Sequence, residues 1–437
     1  MLRRTFCKYV SAGLTTLGVH SPGHGEQRRR NPNIIIIFTD DQGYGDLGCF
    51  GGDVHTPNID RMAKRGVKMT DFYTASPVCT PSRAALLTGS YPLRAGNLPV
   101  LWPFHKIGLN HEEVTIADLL GRQGYATACI GKWHLGHHRE FSPLVQGFDY
   151  FYGMPYSNDM FPKPLLRNGE VIEKPVNQST LTRRYTHEAQ QFIRRTKDSP
   201  FFLYLPHTMP HVPLAVSQRF RGKSSQGLYG DVIAELDWST GQIIKTVQEL
   251  GLEQDTLIVY TSDNGPWLGK GEKGGSSGPL RGGKFSAYEG GMRVPCVMQW
   301  VGTIPAGRSC SALTTTMDLL PTCAALSGAP LPAHPIDGKD ITGVLTRKKC
   351  DRSPYEAFVY YGPRGAIRAV RSGKWKLFLK KNELYNLQED IGEKKNLYAD
   401  HAPLVKKLRD MAIAVDKNVR SQRRPPGKLK VLRKKGG

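Results

Sequence analysis

Several short stretches of this 437-residue chain gather side chains that can handle an oxyanion and a hard cation. Thr39-Asp40-Asp41-Gln42-Gly43 brings two adjacent carboxylates, and Asp263-Asn264-Gly265 brings two more oxygen donors. Gly131-Lys132-Trp133-His134 pairs a cation with an imidazole, and His207-Thr208-Met209-Pro210-His211 carries two imidazoles. Cys79-Thr80-Pro81-Ser82-Arg83 sets a thiol just ahead of a helix whose start is marked by Pro81 and Ser82 and whose end is marked by Gly89. Negative charge at such a point faces unpaired helix N–H groups, and Arg83, one turn in, adds a fixed positive charge. Taken singly, each feature has a structural explanation. Lone cysteines are usually small buried apolar groups, Asp-Asp pairs usually cap turns, and a reactive thiolate is the usual chemical alternative for Cys79.

The elements that carry these residues make the coincidence harder to dismiss. Asn33–Phe38, Tyr125–Ile130, Phe201–Leu205 and Thr256–Ser262 are continuous apolar runs that end in the clusters above. Such runs read as strands buried on both faces of a parallel sheet. Ligands of open α/β sheets bind beyond the carboxyl ends of the strands, so the clusters predict one composite site. Glu112–Gly124, Thr186–Lys197 and Tyr229–Gly251 carry helical spacing and are expected to cover the sheet. Leu165–Ile172 reads as a hairpin turning at Asn168-Gly169.

Pro266–Gly291 is glycine-rich and is expected to be a long mobile loop. Within it, Gly278–Lys284 mimics a phosphate-binding loop. Phe285 stands where a magnesium-binding hydroxyl belongs and no strand precedes, so a nucleotide loop is rejected. Lys284 remains a candidate anion ligand. Phe358–Tyr361, Ile367–Val370 and Trp375–Leu379 read as a small antiparallel sheet, followed by Leu384–Leu387 and a closing helix over Pro403–Val415. The expected organisation is a leader over 1–32, a main domain over 33–352, a small α+β domain over 353–416 and a basic, unstructured tail over 417–437.

The net charge of +22 lies largely in the two ends of the chain, since 417–437 holds nine Lys or Arg and no acid. No nucleic-acid-reading module accompanies it, so no nucleic-acid partner is expected. Arg3-Arg4-Thr5-Phe6-Cys7-Lys8 resembles a twin-arginine export signal, and the apolar run Tyr9–Val19 is too short to span a bilayer. The expectation is an exported, periplasmic or extracellular protein without a stable membrane span. The eight cysteines form no Cys-x-x-Cys pair, which argues against zinc, and their pairing cannot be read.

Cys79-Thr80-Pro81-Ser82-Arg83 resembles the Cys-x-Pro-x-Arg signature of type I sulfatases. Phe38–Asp46, Gly131–Gly136, Gly153–Ser157, Pro210–Pro213, Thr261–Gly265, Arg281–Pro295 and Leu384–Leu387 are similar to further blocks of the arylsulfatase family, in the family's order. The resemblance implies an alkaline-phosphatase-like α/β core, a mostly parallel sheet flanked by helices, with a small C-terminal antiparallel sheet domain. It implies hydrolysis of aryl or carbohydrate sulfate monoesters by a formylglycine that a formylglycine-generating enzyme makes from Cys79. Asp40, Asp41, Asp263 and Asn264 would hold Ca2+, less readily Mg2+, with residue 79 completing the shell. Arg83 and His134 would position the nucleophile, and Lys132, Lys284 and Ser157 would bind sulfate. Asp263 would take the nucleophile's proton, and His211 would protonate the leaving oxygen, with His207 as a weaker stand-in. A phosphatase or phosphonate-ester hydrolase of the same superfamily is one rival, and a catalytically silent binder of acidic polysaccharide is another.

Overall fold

The computed structural model describes residues 31–429. The twin-arginine-like stretch, Cys7 and the last residues of the basic tail lie outside them. β1 (Asn33–Thr39), β2 (Val67–Met69), β3 (Ala126–Lys132), β4 (Tyr150–Met154), β5 (Leu165–Arg167), β6 (Glu170–Glu173), β7 (Phe201–Pro206), β8 (Thr256–Ser262), β9 (Cys296–Gln299) and β10 (Arg308–Cys310) form a ten-stranded sheet. Its order is β10-β2-β9-β8-β1-β7-β3-β4-β5-β6. The central strands β8, β1, β7, β3 and β4 run parallel, and they include every apolar run that ends in a chemical cluster. On β1, Ile34, Ile36 and Phe38 enter one core while Ile35 and Ile37 enter another, as the two-residue period of a strand requires.

Helices α1 (Pro57–Lys64), α2 (Cys79–Thr88), α3 (Ile116–Gly121), α4 (Leu181–Thr196), α5 (Gly227–Glu249) and α6 (Leu319–Ser327) flank the sheet. α2, α3 and α6 pack on one face, and α1, α4 and α5 on the other. α3 is shorter than its apolar spacing suggests, because Thr115 caps it. The Thr115 hydroxyl accepts from the Asp118 N–H at 3.1 Å, and Asp118 accepts from the Thr115 N–H at 2.9 Å. α4 begins earlier than expected, at Leu181. The hairpin β5–β6 turns at Asn168-Gly169 as its sequence dictates, both with positive φ.

The glycine-rich 266–291 segment is packed, against the expectation of a mobile loop. Gly45 N–H donates to Ser276 O at 2.9 Å, Ser276 N–H to Asp46 Oδ1 at 2.7 Å, and Lys284 N–H to Pro266 O at 2.9 Å. A Cβ on Gly43 would stand 2.0 Å from Ser276 O, so glycine is what lets the two segments meet.

At the C-terminal end, β11 (Phe358–Tyr361), β12 (Ile367–Ser372), β13 (Trp375–Phe378) and β14 (Glu383–Asn386) form a four-stranded antiparallel sheet, against which α7 (Ala402–Ser421) packs. Its core is shared with Tyr73, Ala75, Met292 and Met317 from the larger part of the chain. A buried ionic network also joins the two, with Lys376 Nζ 2.8 Å from Glu289 and 2.9 Å from Glu393. The tail is ordered further than its composition suggests. α7 runs to Ser421, Gly427–Lys428 pairs with Ile107–Gly108, and Arg424 grips the buried Glu113 at 2.6 and 2.8 Å. A buried carboxylate gives this basic segment a partner that charge counting does not reveal. Cys49, Cys79, Cys129, Cys296, Cys310, Cys323 and Cys350 are free thiols. No helix among the described residues is long and apolar enough to cross a membrane.

Candidate active site

β1 and β8 lie side by side with Thr39 opposite Ser262, so Asp40-Asp41 and Asp263-Asn264 leave the sheet together. Adjacent residues of a regular strand point to opposite faces, but Asp41 has φ 64°, and this turn ends the alternation. The Asp41 N–H donates to Asp263 Oδ1 at 3.1 Å, and Asn264 Nδ2 donates to Asp41 Oδ1 at 2.7 Å. Asp40 Oδ1 and Asn264 Oδ1 are buried without a hydrogen-bond partner. Ligand atoms of Asp40, Asp41 and His211 lie within 4.8 Å of one another. A hard-oxygen set with orphaned acceptors is the chemistry that a calcium or magnesium ion satisfies.

Cys79 is the first residue of α2 rather than a residue ahead of it, and Val78 is the extended residue that caps the helix. The helix therefore starts two positions earlier than Pro81 and Ser82 suggest, and the thiol stays at its N-terminal end. Arg83, fully buried, serves Asp263 first. Its Nε and Nη2 donate to Asp263 Oδ2 at 3.0 and 2.7 Å, and its Nη1 donates to Lys132 O at 3.1 Å. Lys132 Nζ donates to Asp40 Oδ2 at 2.5 Å and to Ser157 Oγ at 3.1 Å. Lys284 Nζ donates to Asp41 Oδ2 at 2.8 Å. The segments expected to converge thus meet through ion pairs with 0–4 % exposed side chains.

The two histidines are held in complementary tautomers. His134 has φ 61°, and its Nε2 lies 2.8 Å from Leu101 O, which can only accept. Its Nδ1 is then a buried acceptor without a partner. The Thr80 hydroxyl donates to His134 O at 3.0 Å and ties this residue to the first turn of α2. His211 donates from Nδ1 to Val212 O at 2.6 Å, which leaves Nε2 facing Asp41 Oδ2 at 3.6 Å. His207 does not join the cluster. It lies against the Tyr185 ring and within 3.4 Å of Ser239 Oγ, among α4 and α5, and burial pushes its imidazole down to about 3. It is a packing residue.

Burial raises Asp263 to about 7, with the neighbouring Asp40 charge adding and Arg83 opposing. At Asp40 burial acts in the same direction but Lys132, His211, Arg83 and Lys284 outweigh it, holding that carboxyl well below the usual range. Burial also raises the Cys79 thiol against the pull of Lys132 and Lys284, so a ready thiolate is not what this environment makes. Burial, Lys132 and Arg83 keep His134 neutral. Burial lowers His211 as well, with Asp41 and Asp40 working against it.

Two residues of the site escape sequence reasoning. Asn158, beside Ser157, lies 3.1 Å from His211 Nδ1 and donates to His211 O at 3.2 Å, bracing the ring and its backbone. Trp267 stands 5.7 Å from the His211 ring and 4.5 Å from Lys284 Nζ. An asparagine and a tryptophan a few residues from motif positions carry no spacing signal of their own.

Residues 32–329 match the Sulfatase family model, and 283–418 match the model described as N-sulphoglucosamine sulphohydrolase, C-terminal. Human arylsulfatase A is 42% identical over 381 residues, covering 79% of this chain and 74% of that protein. Human steryl-sulfatase is 38% identical over 447 residues, covering 79% of this chain and 76% of that protein. Among solved structures, a protein described with the metabolism of multiple glycosaminoglycans by Bacteroides thetaiotaomicron aligns with a TM-score of 0.80 at 30% identity, over 89% of this chain and 100% of that one. Ps i-CgsB in complex with k-i-k-neocarrahexaose aligns with a TM-score of 0.80 at 31% identity, over 90% of this chain and 95% of that one. With the strand-end acids, the buried lysines and the helix-borne Cys79 all in one place, these likenesses have a common meaning: the chain belongs to the type I sulfatase family and is an arylsulfatase-like sulfuric ester hydrolase.

Proposed function

We propose that the chain hydrolyses sulfate monoesters, aryl or carbohydrate, with a formylglycine made from Cys79 and with Ca2+ (Mg2+ less readily) held by Asp40, Asp41, Asp263, Asn264 and residue 79. The observation that carries the reading is the pair of buried, unpartnered oxygens on Asp40 and Asn264, set among the carboxylates of Asp41 and Asp263. When bound, the cation supplies positive charge that favours the ionised form of a residue-79 hydroxyl. Formylglycine supplies a hydrated aldehyde, whose one hydroxyl attacks sulfur and whose other lets sulfate depart as the aldehyde reforms.

The chain's own residues complete the cycle. His134 Nδ1 accepts a hydrogen bond from the second, non-attacking hydroxyl of residue 79 and orients the diol. Asp263 takes the proton of the attacking hydroxyl. Arg83 keeps Asp263 in place through two hydrogen bonds. Lys132, steadied by Ser157, and Lys284 neutralise sulfate oxygens as charge shifts onto them. His211, as the imidazolium that the Asp41 and Asp40 carboxylates favour against burial, delivers the Nε2 proton to the leaving alcohol oxygen while its Nδ1–H stays on Val212 O. The physiological setting is an exported, periplasmic or extracellular enzyme acting on sulfated small molecules or polysaccharides, matured by a formylglycine-generating enzyme.

The test is mass spectrometry of the peptide containing residue 79 after co-expression with a formylglycine-generating enzyme, alongside sulfate release from 4-nitrophenyl sulfate. Formylglycine should appear, and activity should scale with its fraction. Full activity from protein with an intact thiol would overturn the mechanism.

A further inference from the structure

Beyond the sulfate-binding residues, a groove begins where Val78 and Pro81 flank Cys79. A cavity of about 410 Å³ lies there, also lined by Phe285, which follows Lys284, and by Arg364. A second hollow of about 290 Å³ shares Pro77, Phe285, Tyr361 and Gly362 with the first and continues it to Arg368, Lys380 and Lys381 at the small sheet. No Asp or Glu lines either hollow. Among the described residues, Arg364, Arg368, Lys380 and Lys381 have no carboxylate within ion-pair distance, although many other cations of the chain do. Lys381 donates to Tyr288 OH at 2.8 Å, and that hydroxyl passes on to Glu383 at 2.9 Å, so Lys381 is the one cation of the four with a carboxylate behind its partner.

The backbone adds an independent observation. Non-glycine residues with positive φ occur at Asp41 and His134 in the reaction centre, and again at Phe285 (73°) and Arg364 (61°) in the groove. Bulky residues held in that region persist where surrounding structure over-determines them, commonly at ligand sites. Phe285 also donates its N–H to Pro77 O at 3.0 Å, which fixes it beside the approach to Cys79, and the residue is 56% exposed. An exposed aromatic face followed by unpaired cations is suited to a sugar ring followed by negative charge.

Resting on the sulfatase reading of the Cys79 site, we infer that this groove binds a second anionic group, sulfate or carboxylate, of an oligosaccharide whose scissile sulfate sits at residue 79. Phe285 packs on the intervening sugar, Arg364 and Arg368 contact the anion, and Lys380 and Lys381 extend the positive field. The enzyme then prefers polyanionic carbohydrate esters to isolated monosulfates.

The test compares kcat/KM for 4-nitrophenyl sulfate, for a disulfated disaccharide and for a monosulfated disaccharide carrying a uronic acid. In the double variant Arg368→Glu, Lys380→Glu, the ratio of disulfated disaccharide to aryl sulfate should fall about tenfold, mainly through KM, as expected for loss of charge-assisted hydrogen bonds. A similar fall for the uronate substrate means that the groove reads charge, and a fall confined to the disulfated one means that it reads sulfate. An unchanged ratio overturns the inference. Calorimetric binding of a sulfated tetrasaccharide to the Cys79→Ala chain separates this result from failure of the sulfatase reading. Binding should weaken about tenfold on charge reversal even if no ester is turned over, and equal binding by both forms overturns the groove.

Discussion

At the scale of single residues, different carbonyls fix His134 and His211 in opposite tautomers, which suits them to the different roles proposed for them. His211 is committed at Nδ1 to Val212 O, so only Nε2 is available to a leaving group. Replacing it with alanine should cost most where the departing alcohol needs a proton. The expectation is a loss of about 10²–10⁴ in kcat on an alkyl or sugar sulfate. On 4-nitrophenyl sulfate, whose phenolate leaves unaided, the loss should stay below about tenfold. Rates measured across esters of graded leaving-group pKa decide this, and parallel losses on every ester would remove His211 from the acid role. Cys79→Ser isolates the other end of the reaction. A serine has no second hydroxyl to expel sulfate, so one turnover followed by a stable sulfate adduct on residue 79 is expected by intact-mass measurement. Sustained turnover would contradict it.

At the scale of elements, glycines decide how closely the site-bearing strands approach. Gly131, the residue before Lys132, has φ 138°, and a Cβ there would stand 1.9 Å from Pro206 O on β7. Gly131→Ala must push β3 from β7 and shift Lys132 with it. A loss of about 3 kcal/mol, the upper end of overpacking costs, is expected in chemical denaturation, with a larger proportional loss of activity. The seam between the large sheet and the small one is ionic. Lys376 is fully buried between Glu289 and Glu393, and Lys376→Met leaves Glu393 without its cation while Glu289 keeps Arg293 and Arg371. Breaking a buried pair from one side costs about 3–5 kcal/mol, and adding Glu393→Gln should recover part of it. A Lys376→Met protein with unchanged stability would show that the seam is held by its apolar contacts alone.

For the whole molecule, buried carboxyls set opposing pH trends. Burial raises Asp46 and Asp318 to about 7, although each also accepts hydrogen bonds that favour ionisation. These groups hold protons in the folded state that the unfolded chain has released. Their stabilising contribution is therefore complete below the ordinary carboxylate range and is lost as pH rises through about 7. Glu289 behaves oppositely. Burial would raise it, but Lys376, Arg293 and Arg371 hold it below the ordinary range, so its contribution is lost as pH falls. Between about pH 5 and 7 the buried, neutral His134 and His207 act in the opposite sense to Asp46 and Asp318, so the carboxyl contribution is read as a difference: Asp46→Asn with Asp318→Asn should make the thermal midpoint rise more steeply, or fall less, over that window than it does in the parent chain. An identical pH course for the two proteins would refute the assignment. On the proposed calcium site, added calcium should raise the midpoint with concentration and a chelator should reverse it, because its ligands are assembled only in the folded chain.

The sequence by itself determined the strands, their burial on both faces and the collection of acids, lysines and imidazoles at their carboxyl ends. Those facts follow from local apolar runs and from the geometry of a parallel sheet, which puts all such ends on one edge. The hairpin at Asn168-Gly169 and three strands of the small sheet were equally legible, being short-range patterns, while the fourth, Glu383–Asn386, was not read as a strand. Tertiary structure alone supplied a physical reason for the order in which the family resemblance set the two histidines of one segment, His211 before His207. His207 still follows the β7 register, donating its N–H to Phe38 O, and is turned among the helices. Tertiary structure also decided that Arg83 braces Asp263 across a long sequence separation, that Asp41 turns out of the strand, and that Arg424 anchors the tail on Glu113. Each of these depends on partners far apart in the chain, and neither periodicity nor composition carries information about which distant charge a side chain will meet.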